Sequence, residues 1–131
     1  MHIGKRVLLC GIVTILVMIT AGCVSKEVLQ TRKMPINHID LQDAQDGEYQ
    51  GDFTYGSYTY VVNVVVQDHR IVAIQILKNR DTPRAKAAEE VGRKIIEQQK
   101  NDVDAISGAT TTSKALLKAI ENALRKSLKP R

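Results

Sequence analysis

The 131-residue sequence predicts an α+β fold, in which a small antiparallel sheet of about three strands is packed by two amphipathic helices. Three observations lead to this fold class. Residues 49–77 contain three runs in which apolar and polar side chains alternate, the pattern of half-buried strands. Residues 83–100 and 116–128 instead repeat their apolar side chains at helical spacing. Turn-forming and helix-capping residues separate these segments, so the strands come first and the helices last.

The N-terminal residues 1–22 have the pattern of a bacterial lipoprotein signal peptide. Lys5 and Arg6 precede an apolar run from Val7 to Ile19, which is too short to cross a bilayer comfortably. The small residues that follow, up to Cys23, resemble a lipobox, where a diacylglycerol is attached to the cysteine sulfur. An uncleaved amphiphilic anchor and a plain signal peptide with an incidental Cys23 stay open as alternatives. Each of these interpretations puts the rest of the chain outside the cytoplasm, and the lipoprotein interpretation anchors it on the outer face of the cell membrane.

Charge and cysteine content narrow the function classes. Removal of residues 1–22 takes away two basic residues and no acidic one, which lowers the formal charge from +5 to +3. The charge is spread over the domain and tryptophan is absent, so nucleic acid is not an expected partner. Because Cys10 would be removed and Cys23 lipidated, we expect no free thiol, no disulfide and no metal site built on cysteine.

The mature chain is predicted to have a tether and one folded domain. Residues 23–46 are mostly polar without sustained periodicity, which favours a lipid-anchored tether with a short ordered piece near Ile39 and Leu41. The folded domain is expected to begin near Gly47 and to occupy residues 47–131.

The predicted strands follow directly. In the first, one face carries Tyr49, Gly51, Phe53 and Tyr55; in the second, one face carries Tyr58, Tyr60, Val62, Val64 and Val66. The third runs from Ile71 to Leu77. Asp68 and His69 stand where a two-residue hairpin turn belongs, although a histidine in that position has to adopt a positive φ at some conformational cost.

The two helices have clear start signals. Thr82 is a predicted N-cap, Pro83 suits the first helical position, and this helix should end near Lys100. The second helix follows residue 113 and carries the apolar side chains Leu116, Leu117, Ile120, Ala123, Leu124 and Leu128.

A loop of small residues from Asp104 to Ser113 leads into the second helix and contains one glycine and five hydroxyls. Gly108 and Ala109 allow close approach of a ligand to the backbone, and the free N–H groups of a helix N-terminus attract anions. The pattern therefore indicates a phosphate site. It is not a nucleotide P-loop, because no second glycine precedes Lys114. Alternatively, Thr112 or Ser113 simply caps the helix.

From Asp46 to Leu128 the chain resembles the FMN-binding domain family, which includes covalent-flavin subunits of the sodium-translocating NADH:quinone reductase and of the Rnf complex. Asp46–Gly51 looks like the first strand of that family and Val66–Ile71 like its hairpin. Asp104–Thr110, followed by Thr112–Ala115, closely matches the family signature.

This resemblance implies an FMN cofactor. In covalent members, an FAD-dependent FMN transferase joins FMN through a phosphoester to the threonine after Gly-Ala, which is Thr110 here. The positions that the transferase is thought to read correspond to Asp104, Ser107, Gly108 and Ala109. Candidates for phosphate or ribityl contacts, each equally plausible as a cap, are Thr111, Thr112 and Ser113.

The segment on the flavin-ring side departs from the family pattern. Larger members have Glu-Thr-Pro-Gly here, which helps to hold the ring; Asp81 and Thr82 keep part of it, but Arg84 replaces the glycine. A stacking face is offered as an alternative by Tyr55, Tyr58 or Tyr60, although ordinary sheet packing of these tyrosines is favoured.

The predicted function is that of an extracytoplasmic, membrane-anchored flavoprotein electron carrier. It is a carrier rather than a stand-alone enzyme, because the sequence offers no clear acid, base or nucleophile beyond Thr110. The expected partners are the transferase, the membrane through the lipid, and a redox partner protein or a quinone/reductase complex. Two alternatives are a non-covalent FMN-binding protein and a flavin-free lipoprotein interaction module.

Overall fold

The computed structural model describes residues 26–130 of the chain. The predicted signal peptide and the lipidation site at Cys23 lie outside these residues. The chain divides into two units, and the fold described below belongs to the unit Thr31–Arg131. None of the helices in the described part is long and apolar enough to cross a membrane. The elements in chain order are α1 (residues 26–33), a 3-10 turn (Leu41–Asp43), β1 (Gly47–Tyr55), β2 (Tyr58–Gln67), β3 (Arg70–Lys78), α2 (Pro83–Ala88), α3 (Glu90–Gln98) and α4 (Thr110–Ser127).

The three strands form one antiparallel sheet in the order β1-β2-β3, with helices packed against it. This arrangement confirms the predicted α+β fold class. The core-facing side chains of β2 are at most 1% exposed, because they alternate along the strand as the sequence predicts: Tyr60, Val62, Val64 and Val66. The core of the domain therefore lies between this face of the sheet and the helices.

The turn between β2 and β3 is the predicted two-residue hairpin. Asp68 and His69 have φ values of 51° and 60°, which is the geometry that a turn of this length requires. Neighbouring residues stabilise this costly conformation. The amide of Asp68 donates to Oδ1 of Asp46 at 2.9 Å, and Nδ1 of His69 lies 3.2 Å from the carbonyl oxygen of Leu41.

Gly51 lets α4 lie directly on β1. A methyl group at residue 51 would come within 2.1 Å of the carbonyl oxygen of Ala119 and 2.4 Å of the amide nitrogen of Ala123. No side chain fits in that space, so only glycine allows the two backbones to meet. The position of α4 on the sheet depends on this contact.

The first predicted helix is divided into α2 and α3, which meet at Glu89. Its start is as predicted, since Oγ1 of Thr82 accepts from the amide of Ala85 at 3.1 Å. The division follows from Asn79 at the end of β3. Its Nδ2 donates to the carbonyl oxygen of Ala85 at 2.8 Å and to Oε1 of Glu89 at 2.9 Å. The amide of Glu89 bonds instead to the carbonyl oxygen of Lys86, which tightens the chain by one residue.

Residues 31–46 of the predicted tether pack on the domain instead, and the short ordered piece predicted near Ile39 and Leu41 lies among them. Ile39, Leu41 and Ala44 are buried, and Ala44 pairs with Leu128 as an isolated antiparallel bridge. Asn101, itself buried, fixes this segment through two bonds of its amide group: Oδ1 accepts from the amide of Ile39 at 2.8 Å, and Nδ2 donates to the carbonyl oxygen of Asn37 at 2.7 Å. The segment has no helical or strand period because its apolar residues are buried singly, so periodicity could not reveal it.

A buried carboxylate on α4 completes the attachment of this segment. Oε1 and Oε2 of Glu121 each accept a bond of 3.0 Å from Asn37, one from its side chain and one from its amide. Lys118 and Arg125, one turn away on either side, also donate to the carboxylate. Burial raises the pKa of Glu121, but the bonds from Lys118 and Asn37 and the charge of Lys118 lower the pKa by more, so it lies below the usual 4.5.

Candidate anion-binding site at the start of the last helix

The loop before α4 ends in an uncapped helix N-terminus. The helix starts at Thr110 with Ala109 in the N-cap position, and no side chain makes a capping hydrogen bond there. The alternative in which Thr112 or Ser113 is the N-cap is therefore wrong, because both residues lie inside the helix. Ser113 is fully buried, and its hydroxyl accepts from the amide of Ile106 at 3.0 Å. This bond holds the loop in place from behind.

The first turn of α4 supplies backbone donors. The first intrahelical bond runs from the amide of Ser113 to the carbonyl oxygen of Ala109 at 2.9 Å. The amides of residues 110–112 come before it, so the helix itself offers them no acceptor. They lie at the positive end of an 18-residue helix, where the dipole favours an anion.

Gly108 keeps the approach to this turn open. Its φ is +79°, in the region that favours glycine, and an added Cβ would have no heavy atom within 4 Å. A side chain there would project into open space next to the helix start. Glycine therefore serves the backbone conformation and leaves the first turn accessible.

A cavity of about 200 Å³ lies at this helix start. It joins α4 and its loop to the beginning of α2 and to the end of α1. The residues that line it are Arg32, Thr82, Arg84, Gly108, Ala109, Thr110, Thr111 and Thr112. Six of these eight were predicted as site residues from the sequence. No acidic side chain is among the lining residues in the described part of the chain, so the two arginines leave the cavity positively charged.

The remaining predicted site residues lie outside this cavity. Asp104 and Ser107 are exposed on the loop surface. Asp81 is also exposed, and its carboxylate lies 3.8 Å from Nζ of Lys86. Ser113 is buried, as described above. The structure thus brings together the threonines and the Gly-Ala pair, while the aspartates and both serines sit around them.

The two arginines are the residues that sequence reasoning missed. Arg32 was assigned to the tether, and Arg84 was noted only as a departure from the family pattern. Nε of Arg32 donates to Oγ1 of Thr111 at 3.1 Å, which joins residues 79 positions apart. For Arg84 the position just after Thr82-Pro83 was an available signal, since it places the side chain in the first turn of α2. For Arg32 the sequence carried none.

The tyrosines of β2 are engaged within the protein. The rings of Tyr58 and Tyr60 meet edge to face with centroids 4.9 Å apart, and Tyr60 is 1% exposed. Nε of Arg80 donates to the Tyr60 hydroxyl at 3.0 Å, and the Arg80 guanidinium lies over the Tyr58 ring. Both tyrosines thus take part in packing, as favoured from the sequence.

Two comparisons with known proteins bear on this chain. The model of the FMN-binding domain family matches residues 55–125, more than half of the chain, including the loop and the start of α4. A stretch of 85 residues is 32% identical to an uncharacterized protein of Treponema pallidum (strain Nichols). That stretch is 63% of this chain and 24% of the relative, so the chain spans about a quarter of the relative's length.

Proposed function

Because the chain belongs to the FMN-binding domain family and FMN is its cofactor, we propose that it is a membrane-anchored electron carrier outside the cytoplasm, with FMN joined to Thr110. The observation that carries this proposal is the setting of Thr110. It is the first residue of α4 and lines a positively charged cavity together with uncapped backbone amides. A hydroxyl at that point can be esterified by a phosphate that the same groups attract.

The cavity fits the phosphate end of FMN. Pockets that enclose a whole small ligand usually measure about 300–1,000 Å³, and this one measures about 200 Å³. The cavity would therefore hold the phosphate and the adjoining ribityl carbons rather than the whole cofactor. Thr111, Thr112 and the backbone at Gly108 would hold the phosphate.

The attachment reaction is a phosphoryl-group transfer without a change in redox state. The hydroxyl of Thr110 loses its proton, its oxygen bonds to the phosphorus on the FMN side of FAD, and the pyrophosphate bond breaks to release AMP. No carboxylate or imidazole lines the cavity among residues 26–130 to accept that proton. This supports the need for a separate FAD-dependent FMN transferase, for which Asp104 and Ser107 are exposed recognition points.

Once bound, FMN supplies one- and two-electron transfer. The residues around the cavity bind and orient the cofactor but offer no acid or base for a reaction of their own, which favours a carrier that exchanges electrons with a redox partner protein or a quinone/reductase complex. A lipid on Cys23 and a covalent bond at Thr110 would together keep the flavin at the outer face of the membrane. Because both attachments are covalent, retention of the flavin there would not depend on the affinity of the domain for FMN.

Mass spectrometry of the mature protein, coexpressed with the transferase, tests the proposal. We expect a mass increase of FMN less one water on the peptide that contains Thr110. Thr110→Ala should abolish it, Thr110→Ser should retain it at a lower level, and Thr54→Ala, at an exposed threonine of β1 outside the cavity, serves as the matched control. An unmodified wild-type protein under these conditions would contradict the covalent linkage. The same spectrum reports cleavage before Cys23 and its lipid.

A second candidate is non-covalent binding of FMN at the same site. It is favoured by the two arginines and the free amides, which can retain a phosphate without an ester. Acid precipitation distinguishes the two, because covalently bound flavin stays with the protein pellet and non-covalent flavin is released into the supernatant.

A further inference from the structure

We propose that Arg32 and Arg84 bind the phosphate of FMN, so that the segment preceding the sheet is part of the flavin site. This inference rests on the proposed function, which places the phosphate at the start of α4. It assigns cofactor recognition to two side chains that lie outside the Ser-Gly-Ala-Thr loop, in separate stretches of the chain.

Arg32 is held in position by contacts on both sides of it. Thr31 is buried, and the carbonyl oxygen of Met34 accepts from Nζ of Lys114 at 3.3 Å, so the backbone around Arg32 is fixed next to α4. The bond from Nε of Arg32 to Thr111 orients its guanidinium toward the cavity. A guanidinium has five N–H donors in a planar fork, so this bond leaves others for a two-point contact with phosphate.

Arg84 reaches the cavity from a different element, helix α2. It is the second residue of α2, whose start is fixed by the Thr82 cap and by Pro83. Its side chain is exposed and lines the cavity. Because α2 packs against α4, the first turns of the two helices bound the same space.

Three other arginines of the described region bind groups within the protein. Arg80 binds the Tyr60 hydroxyl, Arg93 pairs with Glu90 and Glu97, and Arg125 pairs with Glu121. Arg32 and Arg84 face a cavity without an acidic lining residue. Because two guanidinium groups and a helix N-terminus share one small space, we expect them to bind an anion that carries close to two negative charges. A phosphate monoester at neutral pH carries about −1.5 to −2 charges, which suits that requirement.

The charge of the phosphate differs between the first binding of flavin and the finished ester. In a phosphodiester to Thr110 the phosphate keeps only one negative charge, whereas free FMN and the pyrophosphate of FAD carry about two. The arginines should therefore act mainly when flavin first binds. We expect their loss to raise the concentration of flavin substrate needed for attachment and to leave the ester, once formed, intact.

The test uses the full mature chain carrying Thr110→Ala, in which no ester can form. Binding of FMN and of riboflavin, which lacks the phosphate, is measured by quenching of flavin fluorescence. Arg32→Gln and Arg84→Gln are each expected to weaken FMN binding about 10- to 100-fold and to leave riboflavin binding unchanged, because a hydrogen bond to a charged group is lost. Lys33→Gln, an exposed neighbour that does not line the cavity, is the matched control and should bind FMN normally.

Further variants and outcomes make the assignment decisive. Arg32→Lys keeps the charge but not the fork and should restore only part of the FMN affinity. Unchanged far-ultraviolet circular dichroism excludes misfolding as the cause of any loss. If the arginine variants bind FMN as tightly as their parent, the inference is overturned while flavin binding at the site stands. If the parent binds neither flavin and wild-type protein is not modified, the proposed function fails and the inference fails with it.

Discussion

The polar groups at the middle of α4 are bonded within the protein, whereas the backbone donors at its start are uncapped. Around Glu121 a buried charge has a partner for each oxygen, from Asn37, Lys118 and Arg125. At Thr110, about 16 Å away along the helix axis, the backbone donors have no cap and the nearby arginines face open space. Satisfied polar groups stabilise a fold, and unsatisfied ones at a surface cavity are available to a ligand. One helix thus carries a structural centre around Glu121 and a binding centre around Thr110.

The largest loss of stability is expected from a substitution that displaces α4, and with it both centres. Gly51→Ala places a methyl group against the backbone of α4 and should force the helix off the sheet. We expect the free energy of unfolding to fall by about 3 kcal/mol, measured by urea denaturation. Gly108→Ala is the matched control, because the space there is open; only the left-handed backbone is penalised, by about 1–2 kcal/mol. Equal losses from the two substitutions would contradict the close contact at Gly51.

Breaking the structural centre alone should leave the binding centre working. Glu121→Ala removes the acceptor of the Asn37 amide and should lower the free energy of unfolding by about 1–3 kcal/mol. The distance to Thr110 exceeds the Debye length of about 8 Å at physiological salt, so FMN attachment to the folded protein should be unchanged. Glu97→Gln, at an exposed carboxylate, is the control for loss of a charge. A loss of attachment in folded Glu121→Ala would show that the two centres are coupled.

Acid should weaken the structural centre selectively. Because the pKa of folded Glu121 lies below its usual 4.5, the unfolded state takes up the proton first, and the stabilising contribution is present above that value. It is lost as the pH falls below 4.5 through the folded pKa. Thermal unfolding between pH 7 and pH 3 should therefore show a smaller acid-induced decrease in Glu121→Gln than in the wild type. Identical pH profiles would assign the acid sensitivity to other groups.

The smallest stability effect is expected at the binding centre. Thr110→Ala removes a side chain that makes no cap, and Thr111→Ala removes an exposed hydrogen bond to Arg32. Each should change the free energy of unfolding by about 0.5 kcal/mol or less, although the first abolishes attachment. A much larger destabilisation by Thr110→Ala would mean that this threonine is part of the structural centre.

The sequence predicted the elements that depend on local pattern. The alternation in β2, the turn at Asp68 and His69, and the cap at Thr82 each follow from a few neighbouring residues, and the structure has all three. The loop before α4 was also recognisable, because its glycine and hydroxyls stand next to a helix start. Local chemistry was sufficient in these cases.

The missed features depend on contacts between distant residues. Asn79 divides the first helix by taking the carbonyl oxygen of Ala85, although the helical pattern is continuous there. Asn101 and Glu121 hold residues 37–39 over more than 60 positions, so a polar stretch without periodicity becomes part of the domain. Arg32 is held at the candidate site by its bond to Thr111 and by the bond from Lys114 to the carbonyl oxygen of Met34, again between distant residues. No rule based on neighbouring residues reveals such contacts.

The bridge between Ala44 and Leu128 has a consequence for how the domain can be shortened. The amide of Gln45 also bonds to the carbonyl oxygen of Ser127 at 2.9 Å, so the chain just before the sheet is paired with the end of α4. Each of these two stretches supplies backbone partners for the other. A truncation at either one would therefore leave unpaired backbone groups at the other.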